Sequence, residues 1–559
     1  MTVHNTAAET ALVLVQQLWV GGVRDVVLAP GSRSAPLALV LDAADTAGDL
    51  RLHVRVDERS AGFLALGVAT GSRRPVAVVT TSGTAVGNLL PAVMEAHHSA
   101  RPLIVVSADR PDRLRGSGAN QTTEQAGLFG VFAACHDLAP AATPGELAAA
   151  AAAACSAPGP TQLNLQLDGD LLPIERDASR WWQRPAPAAT PAEASARSTV
   201  SPDAGDGPET LTPGPRTVVV AGDDAGPAAR LLAEAGNWPL FAEPTSGARI
   251  GRQALRTYRL LLGTALRARI ERVVVIGHPT LSRFVTALIC DPSIEVLSVR
   301  GPAGVATDPG RVARVLESVP RVTSRDGEEW FGAWRDADGQ LSAIIDEAVA
   351  AQPLSPLAVA AVVGRAVAAD TTLVVGSSNP VRDLDVMSAP WPAHQHRFVV
   401  GNRGLAGIDG MVSTAAGVAL GRSHAARSIA FIGDLTFLHD TNGLLIGPFE
   451  RRPSLTVVVL NDDGGAIFAT LEQGGDRYSH AFERVFATPH GTDLKALCAA
   501  HHTAYERVTD LDRLVAALNE APRGIRVLEV PVSRADRRAE ATWLRDLAQQ
   551  VVPHRRPDD

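Results

Sequence analysis

Cysteine is scarce in this chain, with four residues in 559. They are Cys135, Cys155, Cys290 and Cys498, and none of them stands in a CxxC pair. A disulfide framework and a cysteine zinc site both need cysteines at short, regular spacings, so neither is indicated. We expect buried, reduced thiols.

Long apolar runs are also lacking. No stretch reaches the roughly 18 apolar residues of a membrane-spanning helix. Residues 1–10 show neither the cationic start nor the apolar segment of a secretory signal. We therefore expect a cytoplasmic protein without a membrane span.

The charge pattern excludes a further class of partner. The formal net charge is -8, and no basic stripe interrupts the acidic balance, so nucleic acid is not an expected partner. Hydrophobic residues make up 46% and charged residues 20%, which is typical of globular proteins. A chain of 559 residues is too long for one hydrophobic core, so several domains are expected.

Apolar runs bounded by turn residues alternate with longer helical patterns along most of the chain. This alternation predicts an α/β fold with mainly parallel sheets covered by helices. A stretch rich in Pro, Ala, Ser and Thr predicts a linker at 183–215. We expect three domains, each with its own sheet, at 1–182, 216–345 and 346–559.

Two predicted strands of the last domain, 428–432 and 455–460, end in the sequences GDLT and NDDGG. Consecutive parallel strands end side by side, so Asp434 and Asp462 are expected to converge. Carboxylate oxygens suit Mg²⁺, which shares its coordination with phosphate groups. Helix N–H groups and the Thr436 hydroxyl would bind that phosphate. For each fragment alone, a helix cap and a surface turn are the alternatives.

Another acidic residue, Glu58, follows the predicted strand 52–56 and opens an apolar helix. Taken alone, it is a solvated first-turn carboxylate that the helix dipole favours. A functional role for Glu58 therefore depends on the predicted metal site.

The GDLT segment, the spacing of 28 positions between Asp434 and Asp462, and DERSAGFLALG at 57–67 together resemble the thiamine diphosphate enzyme superfamily. In that family a pyrimidine-binding domain comes first and a diphosphate-binding domain last. The resemblance implies that Glu58 hydrogen-bonds the aminopyrimidine ring and promotes loss of the thiazolium proton. It also implies that Asp434, Asp462 and the carbonyl of Gly464 bind Mg²⁺ or Mn²⁺. The cofactor then supplies the carbanion chemistry.

Two departures from the family pattern affect the metal site. The usual GDG is GDL here, and the position that commonly carries Asn is Asp462, so Asn461 and Asp462 both stand as candidate ligands. The resemblance assigns the rest of the cofactor site to Ser378, Ile408, Gly433, Leu435, Thr436, Gly465, Ile467 and Phe468.

Apolar residues have a particular part in this resemblance. Ile408 matches the bulky residue that holds thiamine in its bent form, while Ile467, Phe468 and Leu471 would form walls that keep water from the carbanion. Plain core packing is the alternative for all four residues.

A narrower resemblance rests on six motifs. They are PGSRSAPL at 30–37, SADRP at 107–111, GANQT at 118–122, SSNPVRD at 377–383, GNRGLAGIDG at 401–410 and NDDGGAIF at 461–468. They resemble one branch of the superfamily, whose members decarboxylate 2-oxoglutarate and add the succinyl carbanion equivalent to isochorismate in menaquinone biosynthesis. The likeness covers the first and last blocks and fades in the linker and the central block.

Both of these substrates are dicarboxylates, so their site needs several fixed cations, and the planar fork of Arg matches a carboxylate. The resemblance implies that isochorismate or the reacting intermediate faces Ser32, Arg33, Arg110, Asn120 and Gln121. The expected catalytic residues are Glu58, Arg33, Arg110 and Gln121.

The carboxylates of 2-oxoglutarate are expected to bind Arg382 and Arg403. Arg283, in the central block, matches a further substrate arginine, with a surface charge as the alternative. Phe468 and Leu471 complete the predicted substrate site.

In the superfamily the pyrimidine domain of one subunit meets the diphosphate domain of another, so a homodimer or a homotetramer is expected. The nearest alternative is another thiamine diphosphate enzyme, such as an acetohydroxyacid synthase or a simple 2-oxoacid decarboxylase. Those enzymes act on mostly neutral acceptors, for which four arginines would be surplus buried cations. A non-catalytic relative is the alternative from a different class, although it would not need Glu58 or the metal carboxylates.

Overall fold

The computed structural model describes residues 6–173, 180–186, 208–395 and 397–553. Most of the linker predicted at 183–215 lies outside these residues. The chain divides into two compact units. Unit 1 consists of Met1–Gly205, Val412–Ser423 and Asp440–Pro453, and unit 2 consists of Asp206–Met411, His424–His439 and Ser454–Asp559.

Strands are numbered in chain order: β1 (Asp25–Leu28), β2 (Arg51–Val54), β3 (Val76–Thr80), β4 (Leu103–Asp109), β5 (Ala134–Leu138), β6 (Thr161–Gln166), β7 (Thr210–Leu211), β8 (Thr217–Ala221), β9 (Leu240–Ala242), β10 (Arg272–Ile276), β11 (Glu295–Val299), β12 (Arg314–Leu316), β13 (Arg321–Val322), β14 (Thr371–Val375), β15 (Phe398–Val400), β16 (Arg427–Gly433), β17 (Leu455–Asn461), β18 (Ala504–Arg507) and β19 (Ile525–Pro531).

Helices follow the same rule: α1 (Thr6–Val20), α2 (Ala35–Thr46), α3 (Glu58–Ser72), α4 (Thr84–Gly87), α5 (Leu90–His98), α6 (Pro144–Ser156), α7 (Gly226–Gly236), α8 (Tyr258–Leu261), α9 (Arg283–Ile289), α10 (Glu328–Ala350), α11 (Pro356–Ala366), α12 (Asn379–Met387), α13 (Met411–Gly421), α14 (Asp434–His439), α15 (Ser479–Phe482), α16 (Leu494–Ala500), α17 (Leu511–Asn519) and α18 (Arg537–Val551). Among the described residues, none of the helices is both long and apolar enough to cross a membrane.

The sheets confirm the predicted α/β class. Unit 1 has a six-stranded sheet of order β2-β1-β3-β4-β6-β5. Unit 2 has a five-stranded sheet, β12-β11-β10-β8-β9, a six-stranded sheet, β15-β14-β16-β17-β19-β18, and a small β13-β7 pair. All of these strand pairs run parallel. Helix α10 continues through position 345, where the sequence suggested a boundary, and the division into three domains stays a prediction.

The strand order locates the candidate sites. In the first sheet the chain passes from β1 to β2 on one side and then to β3 on the other, so the order switches between β1 and β3. The last sheet switches in the same way between β14 and β16. Ligands of parallel sheets bind at the carboxyl ends of the strands beside such a switch. The loops after these four strands are therefore the expected ligand-binding positions.

The cysteines agree in part with the sequence analysis. All four are free thiols. Only Cys498 is fully buried, because the other three lie in partly covered positions. Burial raises the pKa of both Cys155 and Cys498 to about 11, which makes these thiols unreactive at neutral pH.

Helices α3 and α13, both in unit 1, approach each other through glycines. A Cβ atom at Gly67 would lie 2.2 Å from the carbonyl oxygen of Thr414, and one at Gly417 would lie 2.2 Å from that of Leu64. One turn further on, Gly71 has the same relation to Val418. The two backbones are therefore close enough that no side chain fits between them.

We predict that Gly67→Ala destabilises the protein. The clash with a backbone carbonyl, which cannot rotate away, should outweigh the roughly 1 kcal/mol that Ala gains over Gly in a helix, and leave a net loss of about 2 kcal/mol. Thermal unfolding followed by circular dichroism measures the change. Gly145→Ala in α6 is the matched control, because that glycine is exposed and its nearest neighbour would lie 3.9 Å away. Equal melting temperatures for the two variants would contradict the glycine contact.

Candidate active site

Asp434 is at the centre of the loops that follow β16 and β17. It is the first residue of α14 and is 2% exposed. Its Oδ1 accepts a hydrogen bond from the N–H of Leu435 at 2.7 Å, and its Oδ2 accepts one from the N–H of Gly464 at 2.8 Å. Because β16 and β17 are parallel neighbours, this bond joins two adjacent strand ends as predicted. Burial raises the pKa of Asp434, against the effect of these hydrogen bonds.

Asp462 and Asn461 are adjacent in the NDDGG loop but differ in how their side chains are hydrogen-bonded. The side chain of Asn461 donates to Glu529 at 2.9 Å and accepts from the N–H of Asp463 at 3.0 Å, so both of its ends are engaged. Oδ1 of Asp462 is buried and has no hydrogen-bond partner within the described residues. Burial and the nearby Asp434 carboxylate raise the pKa of Asp462 to about 7. A carboxylate with one buried, unpartnered oxygen beside a second carboxylate suits a divalent cation.

The two glycines of the NDDGG loop pack closely against the backbone of a neighbouring segment. Gly464 has a φ of +149°, and a Cβ atom there would lie 2.2 Å from the carbonyl oxygen of Ala487. A Cβ atom at Gly465 would lie 2.7 Å from the carbonyl oxygen of Phe486. Only glycine fits at these two positions, so the predicted cofactor residues Gly464 and Gly465 also have a structural reason to be glycine.

His490 lies beside Asp434 and Asp463, although no pattern in the sequence indicated it. Its Nδ1 accepts a hydrogen bond from the N–H of Thr492 at 2.9 Å, so its proton is on Nε2. Nε2 lies 3.3 Å from Oδ2 of Asp434 and 3.6 Å from Oδ1 of Asp463. No metal-ligand spacing accompanies His490 in the sequence, so only the fold could reveal it.

Arg534 was missed for the same reason. Its Nη1 donates to the carbonyl oxygens of Asp462 and Asp463, at 2.8 Å each. Asp463 has a φ of +55°, which is uncommon for a residue other than glycine. Arg534 thus fixes the backbone of the turn that carries Asp462.

The side-chain oxygens of this site are of the kind that the predicted Mg²⁺ prefers. Within the described residues, no cluster of three or more His, Cys, Asp or Glu side chains is arranged for a metal. A Mg²⁺ site does not require one, since Mg²⁺ is usually held by one or two carboxylates together with phosphate oxygens and water. Asp434 and Asp462 would supply the carboxylates, and Gly433, Leu435 and the buried Thr436 surround Asp434 at the start of α14.

Glu58 lies at the start of α3 in unit 1, where Asp57 caps the helix through the N–H groups of Arg59 and Ser60. The Glu58 carboxylate accepts a hydrogen bond from Asn88 at 3.3 Å. Nδ2 of Asn442 donates to the other oxygen of Asp57 at 2.7 Å. The first turn of α3, and with it Glu58, is therefore held from both sides.

Arg110 and Gln121 meet in unit 1 as the sequence suggested. Nη1 of Arg110 donates to the Ser82 hydroxyl at 2.7 Å and to the Gln121 carbonyl at 2.6 Å. Gln121 has a φ of +54° and its side-chain amide donates to the Ser82 carbonyl at 2.9 Å. Ser82 follows β3 at the switch in the first sheet, and sequence analysis did not select it.

Arg33 lies on the loop after β1, across the same switch. Its Nη1 donates to the Leu167 carbonyl at 3.0 Å. Burial and the nearby Arg110 lower the pKa of Arg33. Ser32 and Asn120 are exposed, and within the described chain neither side chain hydrogen-bonds to this cluster.

Arg382 and Arg403 lie in unit 2, near the switch in the last sheet. Nη1 of Arg382 donates to the carbonyls of Ser377 and Ser378, at 2.8 and 2.9 Å. Arg403 is 1% exposed. Burial, Arg259 and Arg403 lower the pKa of Arg382 to about 10, so the two predicted substrate arginines are close in space. The hydroxyl of Ser377 donates to the Asn402 carbonyl at 2.9 Å and joins their loops.

The remaining predicted residues are more peripheral. Arg283 is exposed and forms a bidentate ion pair with Glu472, at 2.5 and 3.1 Å. An exposed pair of this kind contributes little to stability, so a bound carboxylate can replace Glu472 at low cost. The apolar residues Ile408, Ile467, Phe468 and Leu471 are all half-buried.

Comparison with solved structures supports the fold. The crystal structure of benzoylformate decarboxylase from Polynucleobacter necessarius superposes with a TM-score of 0.63, over 95% of this chain and 99% of that chain. Sequence identity is 20%, so this likeness concerns the fold alone.

Sequence comparisons define the class and then the family. The model for the thiamine pyrophosphate enzyme N-terminal TPP binding domain matches residues 8–128, and the one for the C-terminal TPP binding domain matches residues 385–530. These matches are those of a thiamine diphosphate-dependent enzyme.

A 2-succinyl-5-enolpyruvyl-6-hydroxy-3-cyclohexene-1-carboxylate synthase from Nocardioides sp. is 50% identical over 546 residues, which are 95% of this chain and 96% of the relative. Synthases of the same name from Arthrobacter sp. and Mycobacterium marinum are 44% and 42% identical, over 95% and 96% of this chain and 90% and 98% of their own length. The chain belongs to this synthase family.

We predict that Mg²⁺ binding in the presence of thiamine diphosphate weakens as the pH falls below about 7, since Asp462 must lose its proton to bind a cation. In calorimetric titrations, the apparent affinity should drop about tenfold per pH unit below that point. Asp462→Ala should abolish binding, because it removes the carboxylate. Asp462→Asn keeps an oxygen, as in the usual family pattern, and should bind Mg²⁺ without this pH dependence. Asn461→Ala should weaken binding less than Asp462→Ala does, and the reverse order of the two alanine variants would make Asn461 the ligand.

Proposed function

We propose that the chain is a thiamine diphosphate- and Mg²⁺-dependent synthase that decarboxylates 2-oxoglutarate and adds the succinyl unit to isochorismate. The products are CO₂ and 2-succinyl-5-enolpyruvyl-6-hydroxy-3-cyclohexene-1-carboxylate, in menaquinone biosynthesis. The observation that carries the choice of substrates is the pair of Arg382, which is half-buried, and Arg403, which is buried and has an Nη1 without a partner in the described chain. Family membership is consistent with it.

The cation and the diphosphate would be held at the ends of β16 and β17. Asp434 and Asp462 would bind Mg²⁺ or Mn²⁺, together with the carbonyl of Gly464. The raised pKa of Asp462, at about 7, supports this assignment because a cation relieves the repulsion from Asp434. When bound, thiamine diphosphate supplies a carbon that stabilises the negative charge left by decarboxylation.

Glu58 would hold a proton at its carboxylate and exchange it with the aminopyrimidine of the cofactor. Its place in the first turn of α3, fixed through Asp57 and Asn442, supports this role because proton transfer needs a defined distance. Asn88, at 3.3 Å, orients the Glu58 carboxylate. Ile408 would support the cofactor, and Phe468 and Leu471 would exclude water from it.

Two groups of arginines would each bind one of the two substrates. Arg382 and Arg403 would bind the carboxylates of 2-oxoglutarate, and Arg33 and Arg110 would bind isochorismate with Gln121. Each group contains arginines close enough to lower a neighbour's pKa, which is unfavourable until an anion binds. Ser32, Asn120 and Arg283 would contact substrate only after local adjustment of side chains.

The assembly is part of this proposal. The active site would combine Glu58 of one subunit with Asp434 of another, in a homodimer or a homotetramer. The cytoplasmic location expected from the sequence stays a prediction.

We expect the purified protein to release CO₂ and form the adduct when supplied with Mg²⁺, thiamine diphosphate, 2-oxoglutarate and isochorismate. Omission of isochorismate should abolish the adduct, which chromatography with mass detection measures. Turnover of pyruvate, with none of this substrate pair, would instead favour an acetohydroxyacid synthase or a 2-oxoacid decarboxylase.

A second prediction concerns Glu58→Gln. The amide keeps the shape of the side chain but cannot exchange the proton, so thiamine diphosphate should bind with unchanged affinity while activation of its reactive carbon slows by a factor of about 100 or more. Exchange of the C2 proton with deuterium, followed by NMR, measures that step directly. Glu329→Gln is the control, because Glu329 is also a first-turn glutamate and is exposed on α10. Equal exchange rates in the wild type and Glu58→Gln would remove Glu58 from the reaction.

A further inference from the structure

Glu243 is a buried acid that the proposed reaction does not use. It follows β9 in the five-stranded sheet and is 2% exposed. Its Oε1 accepts hydrogen bonds from the N–H groups of Thr280 and Leu281, at 3.0 and 2.8 Å. Its Oε2 is buried and has no hydrogen-bond partner in the described part of the chain. Half of this carboxyl group is therefore left without a contact that would offset its burial.

Arg403 shows the complementary arrangement. Its Nη2 donates to the Thr280 hydroxyl at 2.6 Å, and its Nη1 is buried without an acceptor among the described residues. Thr280 thus bonds to both groups, through its N–H to Glu243 and through its hydroxyl to Arg403. It lies on the loop after β10, so the five-stranded sheet directly contacts an arginine on the loop that follows β15.

The charges around Glu243 indicate what kind of ligand could bind to its Oε2 and to Nη1 of Arg403. Burial raises the pKa of Glu243 to about 7; Arg403 and the Leu281 N–H oppose this, whereas Asp385 and Asp223 add to it. A protonated Glu243 has an O–H to donate at Oε2. Arg403 has an N–H to donate at Nη1. Both groups can therefore donate to a carboxylate.

A purely structural ion pair explains this arrangement less well. Such a pair would place Oε2 of Glu243 against Nη1 of Arg403, since leaving either unpaired in the interior costs free energy. Here both atoms are left unpaired while Thr280 fixes the separation of the two side chains. Groups held apart in this way are preorganised for a ligand.

We propose that Thr280 and Glu243 are positioning residues for Arg403, and that they determine how tightly the site binds the second carboxylate of the 2-oxo acid. The inference rests on the proposed function, because it takes Arg403 as a carboxylate-binding residue. Thr280 orients the guanidinium fork. Glu243 responds to the incoming negative charge by taking up a proton, so that it does not repel the substrate.

Thr280→Val and Thr280→Ser form a matched pair that tests the positioning. Valine has the shape of threonine without the hydroxyl, so the KM for 2-oxoglutarate should rise about tenfold, with kcat, the KM for isochorismate and the affinity for thiamine diphosphate little changed. Serine keeps the hydroxyl and should restore the wild-type KM. Thr286→Val in α9, whose hydroxyl bonds only to the Ser282 carbonyl, is the control for a threonine change nearby. A KM within a factor of about two of wild type in Thr280→Val would overturn the positioning role.

Glu243→Gln tests the electrostatic part through a pH profile. Below its pKa, Glu243 of the wild type is already protonated; above it, binding must draw a proton from water. The KM for 2-oxoglutarate should therefore rise as the pH increases from 7 to 9. Glutamine is neutral throughout and still accepts from Thr280 and Leu281, so its profile should be flat. A profile that keeps its rise in the variant would overturn the role of Glu243.

Arg403→Met separates this inference from the proposed function. If it leaves the KM for 2-oxoglutarate unchanged, the assignment of Arg403 to the substrate fails. If it raises this KM while Thr280→Val and Glu243→Gln behave as wild type, only the inference fails. Should Glu243→Gln not fold, the Thr280 pair still decides between these outcomes.

Discussion

The repulsion between two acidic side chains at neighbouring strand ends, one buried and one half-buried, is the constraint on which the rest of this site depends. Asp434 and Asp462 repel each other in a region with little water, and without a counter-charge one of them holds a proton near neutral pH. Asn461, His490 and Arg534 all serve to keep the two carboxylates in place despite that repulsion. The two carboxylates are thus held in place by the fold but lack a fully compensating positive charge among the described residues.

The same incompleteness recurs where substrates would bind. The strand order of both six-stranded sheets switches beside the loops that carry the arginines, and in each case a neighbouring arginine lowers the pKa of another. Parallel sheets make this possible, because the ends of adjacent strands bring separate loops together without either needing to be long. Free energy gained in folding the sheets offsets the cost of holding like charges close to each other.

Local sequence patterns predicted the elements that bury continuous apolar runs, such as β16 and β17, and with them the position of Asp434. They did not predict β6, because its polar side chains are buried and satisfied by neighbours: Asn164 bonds to Asp109, and Gln162 bonds to Ser107. Residues such as His490 and Glu243 were missed for a related reason. Their partners come from loops distant in the chain, and no spacing in the sequence records such a contact.

The glycine contact between α3 and α13 has a consequence for how the chain can be divided. Unit 1 takes its second and third segments from beyond residue 411, and the first of these supplies the helix that covers the glycine face of α3. A fragment cut in the linker would expose that face to water. Exchange of a single contiguous segment between related enzymes would likewise bring a foreign helix against these glycines. Unit 1 therefore cannot be exchanged as one contiguous segment without replacing part of this helix contact.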